Sequence, residues 1–258
     1  MKNILLVTKG HPFDKEAFFQ IFDQMEGVNW THVEQPAAQV FFDVKQAAKY
    51  DAFVVYDMPG IEFNHNSPPT FTEPSSQYKK NLLELVNKGH GFVFLHHAIA
   101  GWPLWDDYAE ILGGRFLYMP GSLRGKDLPD SGYRHGVEHT VKVVSDHPVT
   151  RGVPMEFSIT DELYLSQVFE DSIQPLLVSD YQFTAENFYS AAKAVAEGKM
   201  FDNDGWTHAS GSKYVGWSRE PGNSRIVYLQ CGDDPIAYAN ANFQKLVSNA
   251  IGWVSERV

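Results

Sequence analysis

The chain has 258 residues, 43% hydrophobic and 21% charged, which is ordinary globular composition and enough for one large α/β domain. A formal net charge of −11 argues against a nucleic-acid partner, because phosphate binding relies on clustered Lys and Arg. One cysteine excludes an internal disulfide framework. No apolar run approaches a bilayer span, and Met1-Lys2-Asn3-Ile4 enters a strand pattern without a signal core, so a cytoplasmic protein with no membrane partner is expected.

Asn3–Thr8 reads as a first buried strand, ending in the breaker-rich Lys9-Gly10-His11-Pro12-Phe13-Asp14. Ala17, Phe18, Ile21, Phe22 and Met25 then recur at helical spacing behind the cap residue Asp14. Strands are expected at Trp30–Glu34 and at Ala52–Tyr56, the latter ending in Asp57-Met58-Pro59-Gly60. This alternation predicts a parallel, doubly wound sheet with helices on both faces. Residues 60–74, rich in Pro, Asn, Ser and Thr, read as a loop. A helix follows from near Thr72, burying Tyr78, Leu82, Leu85 and Val86 and stopping at Gly89. Gly91-Phe-Val-Phe-Leu95 is the most strand-like run and reads as the sheet centre, entering His96 and His97 directly.

Leu104, Trp105, Tyr108, Ile111 and Leu112 mark another helix, closed by Gly113-Gly114, and residues 116–136 read as a long loop of the kind that carries function. Thr140–Val144 alternates like a half-exposed strand. Residues 146–154 form a turn-rich crossover, and Phe157–Thr160 leads into a turn at Asp161-Glu162-Leu163-Tyr164. Gln174–Ser179 reads as a strand. Residues 181–212 break the rhythm, with a weak helix near Tyr189–Ala196, and read as an insertion that covers the site. Tyr214–Trp217 and Arg225–Gln230 form a strand pair around a hairpin turn. The last helix, from about Asn240, places Phe243, Leu246, Val247, Ala250, Ile251 and Val254 on one face. No linker or repeat interrupts the chain, so residues 1–258 are read as a single domain.

In a parallel sheet the carboxyl ends of the strands collect on one rim, where such folds place their ligands. That rim gathers His11, Asp57, His96, His97, Asp233 and Asp234, with Asp161 and Glu162 in a turn facing it. Histidine beside carboxylate is the composition of general acid–base catalysis. Capping is the plainer role for Asp57 and Asp234, and helix packing for Trp105. A zinc or other divalent site drawn from His11, His96, His97, His135 and His139 is the alternative chemistry. No HExxH pattern supports it, and metal-free chemistry is expected. Cys231 lacks a nucleophile elbow and reads as a buried thiol. Neither GxGxxG nor GxxxxGK is present, so no nucleotide cofactor is expected.

Val-Phe-Leu-His96-His97-Ala, Ile-Leu-Gly113-Gly114-Arg-Phe116, Asp146-His-Pro-Val-Thr-Arg-Gly-Val-Pro154, Asp161-Glu-Leu-Tyr164, Tyr228-Leu-Gln-Cys-Gly-Asp and Asn249-Ala-Ile-Gly-Trp253-Val together resemble the ThuA-like trehalose-utilisation family, from the first strand to the last helix. The resemblance implies a flavodoxin-like sheet of the class I glutamine amidotransferase superfamily and a place in catabolism of trehalose or related disaccharides, through 3-keto sugars. Amidotransferases of that superfamily carry a nucleophilic cysteine where this chain has His96-His97, so a thioester route is closed. Many ThuA-like chains read Gly-His-Asp where this one reads Gly232-Asp233-Asp234.

The expected function is therefore acid–base processing of a small sugar or keto-sugar by isomerisation, hydration or hydrolysis. His97 moves a proton, Glu162 partners or orients it, and His96 and Asp233 complete the catalytic set. His11, Asp57, Trp105 and Asp161 bind substrate, with Trp105 or Trp206 offering a stacking face. A non-catalytic sugar-binding or regulatory protein on the same fold is the alternative. Self-association into a homo-oligomer is compatible with either.

Overall fold

The computed structural model describes residues 1–64 and 67–256. In chain order the principal elements begin with β1 (Lys2–Lys9), α1 (Lys15–Asp23), β2 (Val28–Glu34), β3 (Ala52–Asp57), α2 (Ser76–Asn87), β4 (Gly91–Leu95) and α3 (Asp106–Leu112). The second half adds β5 (Gly132–Val143), β6 (Glu156–Leu165), β7 (Gln174–Ser179), α4 (Ala191–Glu197), β8 (Tyr214–Arg219), β9 (Ile226–Leu229) and α5 (Ala241–Val254). They form one sheet in the order β6-β5-β7-β8-β9-β4-β3-β1-β2, with the short pair Tyr189–Ser190 added against β5.

From β9 to β2 every neighbouring pair is parallel, and this half is the expected doubly wound, flavodoxin-like core. Alternation along the strands explains its two faces. Ile4, Leu6, Val54, Val93, Leu95 and Val227 point to one side, where Phe18 and Phe22 of α1 and Phe243, Leu246 and Ile251 of α5 cover them. Leu5, Val7, Phe53, Val55, Phe92 and Phe94 point to the other, against Tyr78, Leu82 and Leu85 of α2 and Tyr108 and Leu112 of α3. Each fully buried aliphatic or aromatic side chain contributes about 1.5–3 kcal/mol, so both helical layers are firmly held. Local chemistry agrees with the packing. Asp14 caps α1 by accepting from Ala17 N, Ser75 caps α2 through Tyr78 N, and Asn240 caps α5 through Asn242 N. At Gly91 a Cβ would lie 2.0 Å from the Val254 carbonyl, so only glycine lets α5 cross the start of β4.

Beyond β9 the sheet turns antiparallel through β8, β7, β5 and β6. Several sequence expectations change in this region and around it. Residues 60–74 are not a plain loop, since Ile61–Asn64 pairs with Ser67–Phe71, residues 65 and 66 lying outside the described residues. Residues 116–136 contain the hairpin Gly121–Leu123 with Lys126–Leu128 and then the first residues of β5. These segments are short, polar or proline-containing, and lack the two-residue alternation that announces a strand. Asp161 and Glu162 lie within strand β6 rather than in a turn. Leu104 precedes α3 and is exposed, whereas Trp105, Tyr108, Ile111 and Leu112 are buried as expected. Among the described residues no helix is long and apolar enough to cross a membrane.

One buried polar contact in the antiparallel half carries a pH signature. His139 on β5 is 4% exposed, and its Nδ1 lies 2.8 Å from Ser179 Oγ on β7 while Nε2 has no hydrogen-bond partner among the described residues. Burial lowers its pKa to about 4, with the nearby Asp180 opposing weakly. The unfolded chain therefore binds this proton first as pH falls. The contribution is complete above about pH 6.5 and declines towards pH 4, by about 3 kcal/mol in total. Denaturant unfolding of wild type and His139→Asn across this window is expected to show a steeper loss of stability in wild type. Parallel pH profiles would contradict this.

Candidate active site

Glu162 sits opposite an irregularity in β5. The register of β5 on β6 pairs Arg134 with Leu163 and then Val137 with Asp161, so His135 and Gly136 together face the single residue Glu162. This is a β-bulge, with Gly136 in the left-handed region at φ +64°, and it directs His135 toward Glu162. His135 Nε2 lies 3.2 Å from Glu162 Oε1 and its Nδ1 3.7 Å from Asp233 Oδ2.

The other side of Glu162 meets His96. This residue ends the central strand at φ +43°, a strained conformation for a side chain other than glycine, and its carbonyl accepts from Tyr228 Oη at 2.8 Å. His96 Nδ1–H donates to the Gln230 carbonyl at 2.5 Å. Its Nε2 is 2.7 Å from Tyr164 Oη, 3.1 Å from Glu162 Oε2 and 3.3 Å from Asp233 Oδ1. Burial alone would lower His96, but Asp233 and Glu162 outweigh it and hold the ring well above its ordinary pKa. His96 is therefore biased towards its charged form between two carboxylates. Burial would likewise raise Asp233, yet the facing rings of His135 and His96 hold it well below the usual carboxylate range. His135 is raised, chiefly by Asp233 and against the effect of its partial burial.

Asp161 organises this cluster from behind. It is fully buried, and its carboxylate accepts from three backbone donors: Gly232 N at 2.7 Å, Asp233 N at 3.0 Å and Glu162 N at 2.9 Å. Burial pushes its pKa up to about 7, opposed by His96 and by those three donors. Gly232 stands at φ +116°, where a Cβ would lie 2.7 Å from the Phe243 ring, so the turn beneath Asp233 admits only glycine. Asp161 thus positions the turn that carries Asp233, and it is not among the residues that line the adjoining cavity.

A cavity of about 340 Å³ opens beside the cluster, within the range of small-molecule sites. Glu162, His135, Tyr164 and His11 supply its polar wall, and Phe116, Tyr118 and Tyr133 its aromatic wall. Ala191, Ala194 and Val195 of α4, followed by Met200, close another side. Tyr118 Oη is buried at this wall without a hydrogen-bond partner among the described residues.

The residues singled out from sequence separate into three groups. Glu162, Asp233, His96 and Asp161 converge as described, and His11 lines the cavity. His97 lies on the rim but is 1% exposed and packed on Tyr56, with ring centroids 4.1 Å apart, and forms no part of the cavity wall. Burial pushes its pKa well down, with His96 and His11 adding to the effect. Asp57 and Trp105 are elsewhere. Asp57 is buried and accepts from Gln35 Nε2 at 2.9 Å, burial raising its pKa to about 7. Trp105 packs against Tyr78 and Tyr108, its Nε1 donating to Asp107 Oδ2 at 3.2 Å. Trp206 donates to Asp130 Oδ1 at 2.9 Å, and Asp234 caps the turn Pro235–Tyr238. Cys231 is buried, and burial raises its thiol well above its ordinary value.

His135 as a site residue, with Tyr164 and Gln230, was not singled out for acid–base work. An isolated glycine after His135 inside a strand-forming stretch is the available signal, since it marks a bulge. Tyr164 N–H donates to Gln230 Oε1 at 2.9 Å, which ties β6 to the end of β9. Replacing Asp161 with Ala removes both carboxylate oxygens, and with them three hydrogen bonds, and leaves backbone N–H groups unpaired. We expect unfolding free energy to fall by about 2–4 kcal/mol in chemical denaturation. A loss below about 0.5 kcal/mol would contradict the positioning role.

No curated protein matches the chain. Among solved structures, a ThuA-like protein from Parabacteroides merdae superposes with TM-score 0.67 at 18% identity, over 98% of this chain and 90% of that one. A ThuA-like protein from Bacteroides uniformis gives 0.61 at 16%, over 98% and 91%, and a cytoplasmic protein of Salmonella typhimurium LT2 gives 0.60 at 11%, over 98% and 100%. PurLQS from Thermotoga maritima shares the fold more distantly, with TM-score 0.51 at 12% identity, over 98% and 99%. The family model described as trehalose utilisation matches residues 3–254, so the chain belongs to the ThuA family and is tied to sugar utilisation.

Proposed function

We propose that this protein acts on a small oxidised sugar, a keto-mono- or keto-disaccharide, by proton transfer next to its carbonyl. The observation that carries this reading is Glu162 at the cavity wall, held between the imidazoles of His96 and His135. Glu162 is the base that takes a proton from the carbon beside the carbonyl. His135, 39% exposed and biased towards its charged form, gives a proton to the carbonyl oxygen as the enediol forms. Protonation at the former carbonyl carbon, with loss of the proton from the neighbouring hydroxyl, gives isomerisation; alternatively the enediol expels a β-substituent, and water adds to the enone so formed. His96 does not touch substrate in this scheme. It fixes the second oxygen of Glu162 and balances the charge of Asp233, and in this proposal the proton-moving role expected of His97 falls to the pair at the wall.

The cavity suits a sugar ring because aromatic faces cover its apolar C–H surface while a few polar groups read its hydroxyls. Tyr118 Oη, buried without a hydrogen-bond partner among the described residues, is such a group. A cytoplasmic location accords with the description of the Salmonella protein of the same fold. No thiolate is part of the reading, because the elbow position holds His96.

The test is exchange of the carbon-bound hydrogen beside the carbonyl in deuterated water, followed by NMR on a panel of keto-glucosides. Wild type is expected to catalyse exchange, and Glu162→Gln to slow it by about 100-fold or more with binding retained. Sugar binding without exchange in wild type would overturn the catalytic reading and leave a binding or regulatory protein.

A further inference from the structure

We infer that His11, His97 and Asp233 form a binding site for one divalent transition-metal ion of the zinc or cobalt class. The three side chains come from the loop after β1, the turn after β4 and the turn after β9, and one donor atom of each lies within 4.8 Å of the other two. The second observation is independent of that grouping. Among the described residues neither ring nitrogen of the buried His97 makes a hydrogen bond of good geometry, nor does His11 Nδ1, while Asp233 Oδ1 meets His96 Nε2 at 3.3 Å. Buried polar atoms are paired in the great majority of cases, so three unpaired nitrogens on two adjacent rings beside a carboxylate require an explanation. A single cation accepting a lone pair from each residue supplies one.

The donor set selects the ion. Two imidazole nitrogens and one carboxylate oxygen suit zinc and its first-row neighbours, whereas calcium and magnesium require more oxygen ligands. The neighbouring group His96, Glu162 and Asp233 is less suited. There His96 Nδ1 is committed to the Gln230 carbonyl and Nε2 already faces Tyr164 Oη at 2.7 Å. The surroundings of the first group resemble a second shell. Tyr56 packs on the His97 ring, and Asp233 Oδ2 faces His135 Nδ1 at 3.7 Å, an arrangement that orients ligands around an ion. Because His11 also lines the cavity, an ion held there adjoins the wall that carries Glu162 and His135, where it would act as a Lewis acid toward a sugar oxygen. The inference does not rest on the proton-transfer reading, since binding is measured without substrate, and it departs from the metal-free chemistry expected from sequence.

The test is calorimetric titration of chelator-stripped full-length protein with zinc chloride, and with cobalt chloride followed by visible absorption. One ion per chain is expected, with a cobalt spectrum of low coordination number. His11→Ala, a partly exposed position, and His97→Ala should each weaken binding by about 100-fold, and Glu162→Gln by less than about 3-fold. If His97→Ala fails to fold, His11→Ala alone decides. Absence of saturable binding by wild type would overturn the inference. So would binding that survives His11→Ala unchanged but is lost in Glu162→Gln, which would place the ion at the other cluster.

Discussion

A single buried carboxylate, Asp161, holds the two halves of the sheet in register around the site. It belongs to β6, at the far antiparallel edge, yet all but one of the backbone donors to its carboxylate lie in the turn that follows β9, the strand where the parallel half begins. Those bonds bring the Cys231–Asp234 turn against β6. Glu162 and Asp233 thereby reach His96 from opposite directions. Without that link the strand ends would still form a rim, but the carboxylates from the two halves would have no fixed separation.

Two carboxylates close together in a low-dielectric site repel strongly unless cations intervene. Here two rings biased towards their charged form intervene, His96, fully buried, and His135, half-buried. The arrangement alternates charge: Glu162 contacts both rings, and Asp233 faces both rings. Breaking one member of such a network leaves an unpaired buried charge, which makes the geometry rigid and the rotamers well defined. That rigidity is what acid–base chemistry requires, because proton transfer demands donors and acceptors already in place. The strain at His96, held in the left-handed region by the Gln230 and Tyr228 contacts, is part of the same preorganisation.

The parallel core was legible from sequence because its strands are continuous apolar runs and its helices carry one buried stripe. Phe243, Leu246, Val247, Ala250, Ile251 and Val254 are all buried on α5 as their spacing requires. The rim was legible for the same reason, since strand ends follow from strand positions. The antiparallel half was less so. Asp161 and Glu162 interrupt an apolar pattern with charge, which reads as a turn until the partner strand is known. His135 reaches the site through a bulge, and which side chain a bulge re-aims depends on its register with the following strand, β6. Asp57 and His97 show the opposite limit. Both stand at strand ends on the rim, but neither lines the cavity, because their surroundings are set by Gln35 and Tyr56 rather than by the open edge.

The central claim is that the aromatic cavity beside Glu162 and His135 is where a keto-sugar binds with its carbonyl facing those two side chains. A crystal structure of the Glu162→Gln protein soaked with a 3-keto-disaccharide tests it most directly. The account predicts the oxidised ring between Tyr118 and Tyr133, with its carbonyl oxygen within hydrogen-bond distance of His135. A sugar bound at another surface, or with its carbonyl turned away from His135, would contradict it.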